Sequence, residues 1–153
     1  MHLLVGDVVD DDDSLVVSIR SEKNSHAIRD VAIPYGTNRE MCPVRSWRRW
    51  RDAARLTPGE AAFMRIDRWG RLDRVAMTGE AVGDLVTRRA NLASADGIRG
   101  HSLRRGLATE ARRAGRDRTA IARQGGWSEK SGSLDAYLET VDRWTDNATA
   151  GLL

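Results

Sequence analysis

The sequence predicts an α+β fold that is mostly helical and has a small antiparallel β-hairpin near its N-terminus. Two β-branched runs, at 15–19 and 28–33, flank a polar segment, which is typical of two strands joined by a turn. Beyond residue 43, apolar side chains recur every three or four positions, as they do on amphipathic helices. The chain has 153 residues and a mass of 17.0 kDa, so we expect residues 1–153 to form a single domain.

Residues 1–13 combine a short apolar fragment with an acidic run at 10–13. We expect the aspartates to form a solvated turn rather than a metal site, because no calcium-loop spacing of ligands follows them. The apolar fragment is interpreted as the end of an element whose start lies outside the chain. In the hairpin that follows, Lys23 is placed near the tip, and Pro34 ends the second strand by turn chemistry.

A helix is predicted to start at Pro43, because proline is compatible with the first helical position. Its apolar residues follow at helical spacing and are Val44, Trp47, Trp50 and Ala54. We interpret the tryptophans as core residues rather than base-stacking groups. The arginines on the remaining surface either contact a DNA backbone or form a solvated face, and the sequence does not separate the two. A second short hairpin is predicted from the segments 62–66 and 72–75.

Four helices are predicted in the C-terminal half, separated by glycine-containing linkers. They run from Thr78 to near Asn91, from His101 to Gly115, from Asp117 to Gly125-Gly126, and from Ser133 towards a weakly patterned tail at 145–153. The second of these helices is expected to have an apolar side made of Leu103, Leu107, Ala111 and Ala114. The last one is expected to have an apolar face made of Leu134, Leu138 and Val141.

Positive charge in this chain comes almost entirely from arginine. Lysine and arginine number 25 against 22 acidic residues, the net charge is +3 and the pI is about 9.6. Only Lys23 and Lys130 are lysines. Guanidinium groups suit bidentate phosphate contacts, so this bias is compatible with nucleic-acid binding and equally with a GC-rich genome.

Composition excludes several classes of protein. The single cysteine, Cys42, rules out an internal disulfide, and with three scattered histidines it makes a structural zinc site not credible. No apolar run approaches the ~20 residues that cross a membrane, and the N-terminus lacks the pattern of a signal peptide. We therefore expect a cytoplasmic protein that does not associate with membranes.

Four side chains in the C-terminal half form a constellation, namely His101, Arg104, Trp127 and Tyr137. His101 and Arg104 are three residues apart in a predicted helix, so they share one face and can hold an imidazole and a guanidinium against one phosphate. Taken singly, each of the four has an ordinary explanation, because such residues more often cap, pack or face solvent. Their conjunction indicates more than the separate residues do.

This constellation resembles the tyrosine recombinase family, the phage-integrase-type DNA strand transferases. The segments that carry the resemblance are His101-Ser102-Leu103-Arg104-Arg105-Gly106, Ile121-Ala122-Arg123-Gln124-Gly125-Gly126-Trp127 and Leu134-Asp135-Ala136-Tyr137. The hairpin with Lys23 and the segments 31–34, 42–44 and 63–70 are also similar to the family's catalytic domain. The resemblance covers essentially the whole chain and implies the mostly helical α+β fold of that domain.

The resemblance implies a role for each of five residues. Tyr137 would be the nucleophile that attacks a backbone phosphate and leaves a 3′-phosphotyrosine. Arg104 would bind the non-bridging oxygens and stabilise the transition state. His101 would assist proton handling at the same phosphate, and Trp127 would donate its indole N–H to that phosphate. Lys23 would protonate the leaving 5′-oxygen.

The resemblance also implies partners. Double-stranded DNA is the expected substrate, with Arg99, Arg105 and Arg123 as DNA-binding residues. Self-association is expected, because the family acts as a tetramer on DNA. No metal, nucleotide or other cofactor is required. The implied activity is site-specific DNA recombination or integration, as carried out by mobile elements.

The chain departs from the family pattern in one respect. The family uses two arginines, and the first should lie on a helix that precedes residues 3–7, where this sequence has nothing. No other arginine has the matching context, and the family's separate N-terminal DNA-binding domain is also absent. We therefore expect an N-terminally truncated catalytic domain of low activity, because losing one preorganised phosphate contact costs ~10²–10³-fold in rate.

Two other interpretations stay open. The segment 119–128 and the helix after it also resemble a helix-turn-helix, which would make the chain a non-catalytic DNA-binding module. Alternatively, the chain is a recombinase remnant whose C-terminal helix packs on a partner, with Trp144 and Leu152-Leu153 as contact residues.

Overall fold

A computed structural model describes residues 2–12, 14–20, 28–145, 147–149 and 151. These fall into two compact units, Met1–Thr78 and Gly79–Leu153. Within the described residues the strands all lie in the first unit, and the second unit is helical. The predicted α+β class, mostly helical with small antiparallel sheets, is confirmed.

The N-terminal sheet has three antiparallel strands in the order β1-β2-β3. A short 3-10 turn leads into β1 (Val8–Asp11), which is followed by β2 (Ser14–Arg20) and β3 (Ile28–Pro34). Along β2, buried Leu15 and Val17 alternate with more exposed residues, as expected for a strand with one face on a core. The predicted hairpin is therefore β2 and β3, and its tip with Lys23 lies outside the described residues.

The acidic run is not simply the solvated turn that was expected. Asp10 and Asp11 belong to β1, which was not predicted, and Asp10 binds two arginines of the following helix. Arg48 Nη2 lies 2.6 Å from Asp10 Oδ1, and Arg51 Nη1 lies 2.7 Å from Asp10 Oδ2. These contacts, the Arg48 hydrogen bond above all, lower the pKa of Asp10 below its usual range. The prediction was wrong here because partners distant in sequence satisfy the carboxylate.

The helix predicted from Pro43 is α1 (Pro43–Ala54), and its tryptophans do belong to the core. Trp47 is buried with Val44, and Trp50 Nε1 donates to the carbonyl of Ala62 at 2.8 Å. The second predicted hairpin is also present, formed by β4 (Met64–Ile66) and β5 (Leu72–Ala76).

The second unit consists of α2 (Gly79–Leu92), α3 (Gly100–Arg113), α4 (Arg118–Gly125) and α5 (Gly132–Thr145). Their starts agree with the sequence signals; for example, Asp117 Oδ1 accepts from Ala120 N at 2.9 Å and so caps α4. Helices α3, α4 and α5 enclose a core made of Ala108, Ile121, Ala122, Leu134 and Leu138. None of the helices in the part of the chain that the structure describes is long and apolar enough to cross a membrane.

The apolar side predicted for α3 is only partly the side that packs, because Ala111 lies against the core but the leucines do not. Leu103 is 61% exposed and Leu107 is 39% exposed, whereas Ala108 is completely buried. A small side chain at the contact lets neighbouring helices approach closely, so the alanine side can face α4 and α5. Because Arg104 lies one turn before Ala108 on this side of the helix, it is directed towards the turn after α4.

Candidate functional site

His101 and Arg104 lie at the beginning of α3. The helix is capped from its own first turn, because Arg99 N donates to Ser102 Oγ at 3.1 Å and Ser102 N donates to the carbonyl of Arg99 at 2.9 Å. Both His101 and Arg104 are exposed. The first turn of a helix carries free N–H groups and a positive dipole end, which favour an anion at this end of α3.

Arg104 is held by two contacts across the unit. Its Nη2 donates to the carbonyl of Gly126 at 3.2 Å, and its guanidinium carbon lies 4.3 Å from the centroid of the Trp127 ring. A guanidinium carries five N–H donors and only one of them is used on Gly126, so the others stay available to an acceptor. Arg104 is thus oriented before any ligand arrives.

Trp127 packs against the C-terminal end of α4. Gly126 ends the helix in the left-handed conformation at φ 68°, and Trp127 N donates to the carbonyl of Ala122 at 2.9 Å. The indole lies directly against Gly125, since a Cβ atom at that residue would be 1.9 Å from Trp127 Cζ3. Glycine at position 125 is therefore required for the indole to lie here.

Tyr137 completes a continuous row of contacts. Its ring meets that of Trp127 edge to face, with centroids 6.3 Å apart and an interplanar angle of 71°. The tyrosine is half-buried on α5, one turn from completely buried Leu134 and beside buried Leu138. The row Arg104, Trp127 and Tyr137 therefore joins α3, the turn after α4 and α5.

Two ion pairs fasten α5 on either side of Tyr137. Arg118 Nε on α4 lies 2.6 Å from Asp135 Oδ1, and Arg112 Nε on α3 lies 2.6 Å from Asp142 Oδ1. The Arg118 hydrogen bond lowers the pKa of Asp135. Together with the buried leucines, these pairs fix where α5 presents its tyrosine.

The structure thus brings Arg104, Trp127 and Tyr137 together and leaves His101 one helical turn from Arg104. Lys23 lies outside the described residues, so its role stays a prediction. The residues expected to bind DNA, Arg99, Arg105 and Arg123, are all exposed in the second unit. No cluster of metal-ligating side chains occurs among the residues that the structure describes.

Sequence reasoning missed the residues that position the row. Gly125 was used only as a helix end and as part of a motif, although a glycine pair before a tryptophan is a signal for a close backbone approach. The pairs Arg118–Asp135 and Arg112–Asp142 carry no such signal, because their members are 17 and 30 residues apart.

The chain belongs to the tyrosine recombinase family. A curated relative, the integrase/recombinase XerD homolog of Selenomonas ruminantium, is 36% identical over 121 residues, which are 77% of this chain. The match covers 35% of that relative, so the chain spans about a third of its length. No family model matches the chain.

Proposed function

We propose that this chain cleaves and rejoins double-stranded DNA at specific sites, with Tyr137 as the nucleophile. The observation that carries the proposal is the row Arg104, Trp127 and Tyr137, in which a guanidinium and a phenol ring both contact one indole. A phosphate that accepts from Arg104 then lies near the aromatic residue that must attack it. Proximity of this kind is the main requirement for phosphoryl transfer.

The proposed step balances without a cofactor. Tyr137 Oη forms a bond to a backbone phosphorus, and the bond from that phosphorus to the 5′-oxygen breaks. The products are a 3′-phosphotyrosine and a free 5′-hydroxyl, whose attack in the reverse direction rejoins a strand. The phenolic proton leaves through His101 or water, and Lys23 supplies a proton to the departing 5′-oxygen.

Arg104 carries most of the electrostatic stabilisation in this proposal. A phenol has an ordinary pKa of ~10, so its attack on an anionic phosphate needs positive charge next to the non-bridging oxygens. The two contacts that hold Arg104 reduce the reorganisation needed at the moment of reaction. Trp127 donates one more hydrogen bond through its indole N–H but exchanges no proton at neutral pH.

The 153 residues contain no arginine with the context of the family's first arginine. Because a single preorganised donor is worth ~10²–10³-fold in rate, we expect strand cleavage by these residues alone to be slow. The remaining expectations, a tetrameric assembly on DNA and a cytoplasmic location, are part of the same proposal.

The helix-turn-helix alternative is less well supported by the charges of α5. A recognition helix needs side chains that approach DNA without repulsion, but α5 carries Asp135, Glu139 and Asp142. Asp135 and Asp142 are already paired with arginines of neighbouring helices. This arrangement suits a helix that is anchored to its own unit better than one that enters a groove.

A nicked suicide duplex tests the proposal. Cleavage next to the nick releases a short fragment, so a covalent protein–DNA complex accumulates and can be separated under denaturing conditions. We expect slow capture by the wild-type chain and none by Tyr137→Phe, which keeps the ring contact with Trp127. Capture that persists in Tyr137→Phe would contradict the assignment of the nucleophile, and fast capture would contradict the expected impairment.

A retention assay separates the two alternatives that involve no chemistry. The Tyr137→Phe variant should still bind duplex DNA with an affinity that falls as salt rises, because phosphate contacts release counterions. If capture fails but salt-dependent binding remains, the chain is a DNA-binding module. If neither is observed, it is a remnant with a different partner.

A further inference from the structure

The tip of the β4–β5 hairpin, residues 67–71, presents an exposed tryptophan next to two arginines. Trp69 is 64% exposed, and the guanidinium carbons of Arg68 and Arg71 lie 4.0 Å and 5.1 Å from the centroid of its ring. Packing does not explain an indole that is mostly in solvent. Tryptophan and arginine are the residues most enriched where proteins make strong contacts with partners.

The tip is a rigid turn organised by Asp67. The carboxylate oxygen Oδ1 accepts from Trp69 N at 2.8 Å and from Arg71 N at 2.9 Å, while Oδ2 accepts from Arg71 Nε at 3.0 Å. Gly70 supplies the left-handed conformation of the turn at φ 81°. The three exposed side chains therefore start from a backbone that is already ordered.

Both arginines, Arg68 and Arg71, have N–H donors that are not used within the turn and that could bind an anionic ligand. Each guanidinium carries five N–H donors, and Arg71 uses only its Nε on Asp67. Arg68 forms no ion pair with any residue in the described part of the chain. The indole thus serves as a platform that holds two cationic forks, and planar forks match phosphate oxygens.

We propose that this tip is a phosphate-binding site for the backbone of double-stranded DNA, distinct from the phosphate that Tyr137 attacks. The segment from Met64 to Ala76 contains four arginines and two aspartates, a net charge of +2; within it Arg71 pairs with Asp67, and Arg74 pairs with Glu60 outside it. An anionic polymer fits that charge better than a protein surface does. The inference rests on the proposed function for the identity of the polymer as DNA, although its test is independent of strand cleavage.

Salt titration of DNA binding tests this site in the full chain carrying Tyr137→Phe. The probe is a duplex of arbitrary sequence several helical turns long, because a phosphate contact does not depend on base sequence. Each lost phosphate contact lowers the slope of log affinity against log salt by about 0.9. Arg68→Gln should therefore lower the slope by about 0.9, and Trp69→Ala, which removes the platform for both arginines, by up to about 1.8.

Matched variants make the result specific to the tip. Trp69→Phe keeps an aromatic platform and should retain most of the slope, and Arg113→Gln removes an exposed arginine of α3 and should leave it unchanged. Equal slopes for the wild type, Arg68→Gln and Trp69→Ala would overturn the proposal. A loss of affinity with an unaltered slope would also overturn it, because that pattern indicates contacts other than phosphate.

Inorganic phosphate and pyrophosphate distinguish DNA from a small anion. We expect neither to compete with the duplex at concentrations near that of the DNA phosphates, and strong competition by either would assign the tip to a small ligand. The outcomes are also separable from those for strand transfer. Capture through Tyr137 with no effect of the tip variants would sink only this inference, and tip-dependent binding without capture would sink only the proposed activity.

Discussion

The guanidinium carbon of Arg104 lies 4.3 Å from the ring centroid of Trp127, and its Nη2 donates to the carbonyl of the preceding residue, Gly126. Both contacts come from the turn after α4, so the orientation of Arg104 depends on residues more than twenty positions away. The ring of Trp127 also contacts the ring of Tyr137 edge to face, with centroids 6.3 Å apart. Trp127 therefore couples the position of the proposed phosphate-binding group, Arg104, to that of the proposed nucleophile, Tyr137.

Replacing Trp127 should slow strand cleavage without removing any charge. Trp127→Ala deletes the platform beneath Arg104 and the contact with Tyr137, and displacement of a reacting group by about 1 Å can cost ~10²-fold in rate. We expect covalent capture on the nicked duplex to slow by roughly 10- to 100-fold. Trp127→Phe keeps a stacking face and should lose less. Equal capture by Trp127→Ala and the wild type would refute this role.

Gly125 should tolerate no side chain. In Gly125→Ala the new methyl group would overlap the indole, so the Trp127 side chain must move away from α4. Such overpacking typically lowers the free energy of unfolding by about 1–3 kcal/mol. Gly106→Ala on α3 is the matched control, because open space surrounds that position. It should leave stability unchanged or raise it by up to about 1 kcal/mol. Thermal unfolding and covalent capture measure both variants.

Arg104 should not be replaceable by lysine. Lysine keeps the positive charge but has no planar fork to stack on Trp127 while binding two phosphate oxygens. We expect Arg104→Lys and Arg104→Ala both to reduce capture by about 10²–10³-fold. Binding to intact duplex should change little, since one contact among several is lost. If Arg104→Lys retained near-normal capture, the charge alone and not the geometry would be what matters.

Asp10 should make the stability of the first unit depend on pH. Its pKa is lowered in the folded protein, chiefly by the Arg48 hydrogen bond, so its stabilisation is present above pH ~4 and is lost as the pH falls through the folded pKa. Asp10→Asn should lower the free energy of unfolding by about 1–2 kcal/mol at neutral pH.

Urea unfolding followed by tryptophan fluorescence measures this difference. The gap between the wild type and Asp10→Asn should shrink progressively as the pH falls from ~4 through the lowered folded pKa, because protonation of the wild-type carboxylate then removes its ion pairs. Asp73→Asn, at an exposed position of β5, is the control and should behave like the wild type at every pH. A gap that stays constant down to low pH would show that the ion pairs contribute nothing.

The sequence predicted the elements well because they depend on local signals. Pro43, Asp117 and the glycines after α3 and α4 mark helix ends, and the β-branched runs mark β2 and β3. Strand β1 was missed because its aspartates are unusual strand residues, and its stability comes from β2 and from arginines of α1.

The site was predicted as a set of residues but not as an arrangement. Spacing alone placed His101 and Arg104 on one face of α3. It assigned the apolar side to Leu103, Leu107, Ala111 and Ala114, of which Ala111 packs against the core and the leucines are exposed. Hydrophobicity favours leucine at a core position, whereas the close approach of α3 to its neighbours selects Ala108. The stacking of Arg104 on Trp127 depends on the turn after α4, which no periodicity encodes.

In the proposed reaction, the anchoring of α5 determines which reactant must move. Unseating this helix would return Leu134, Leu138 and Val141 to water, at a cost of roughly 5 to 9 kcal/mol, and would also break the pairs to Arg112 and Arg118. Bending a short stretch of duplex costs on the order of 1–6 kcal/mol. Bending the DNA thus costs less free energy than displacing α5. The DNA backbone would therefore move to Tyr137 while the tyrosine stays in place. Flexible base steps at the point of cleavage would then favour one target over another even where no side chain reads a base.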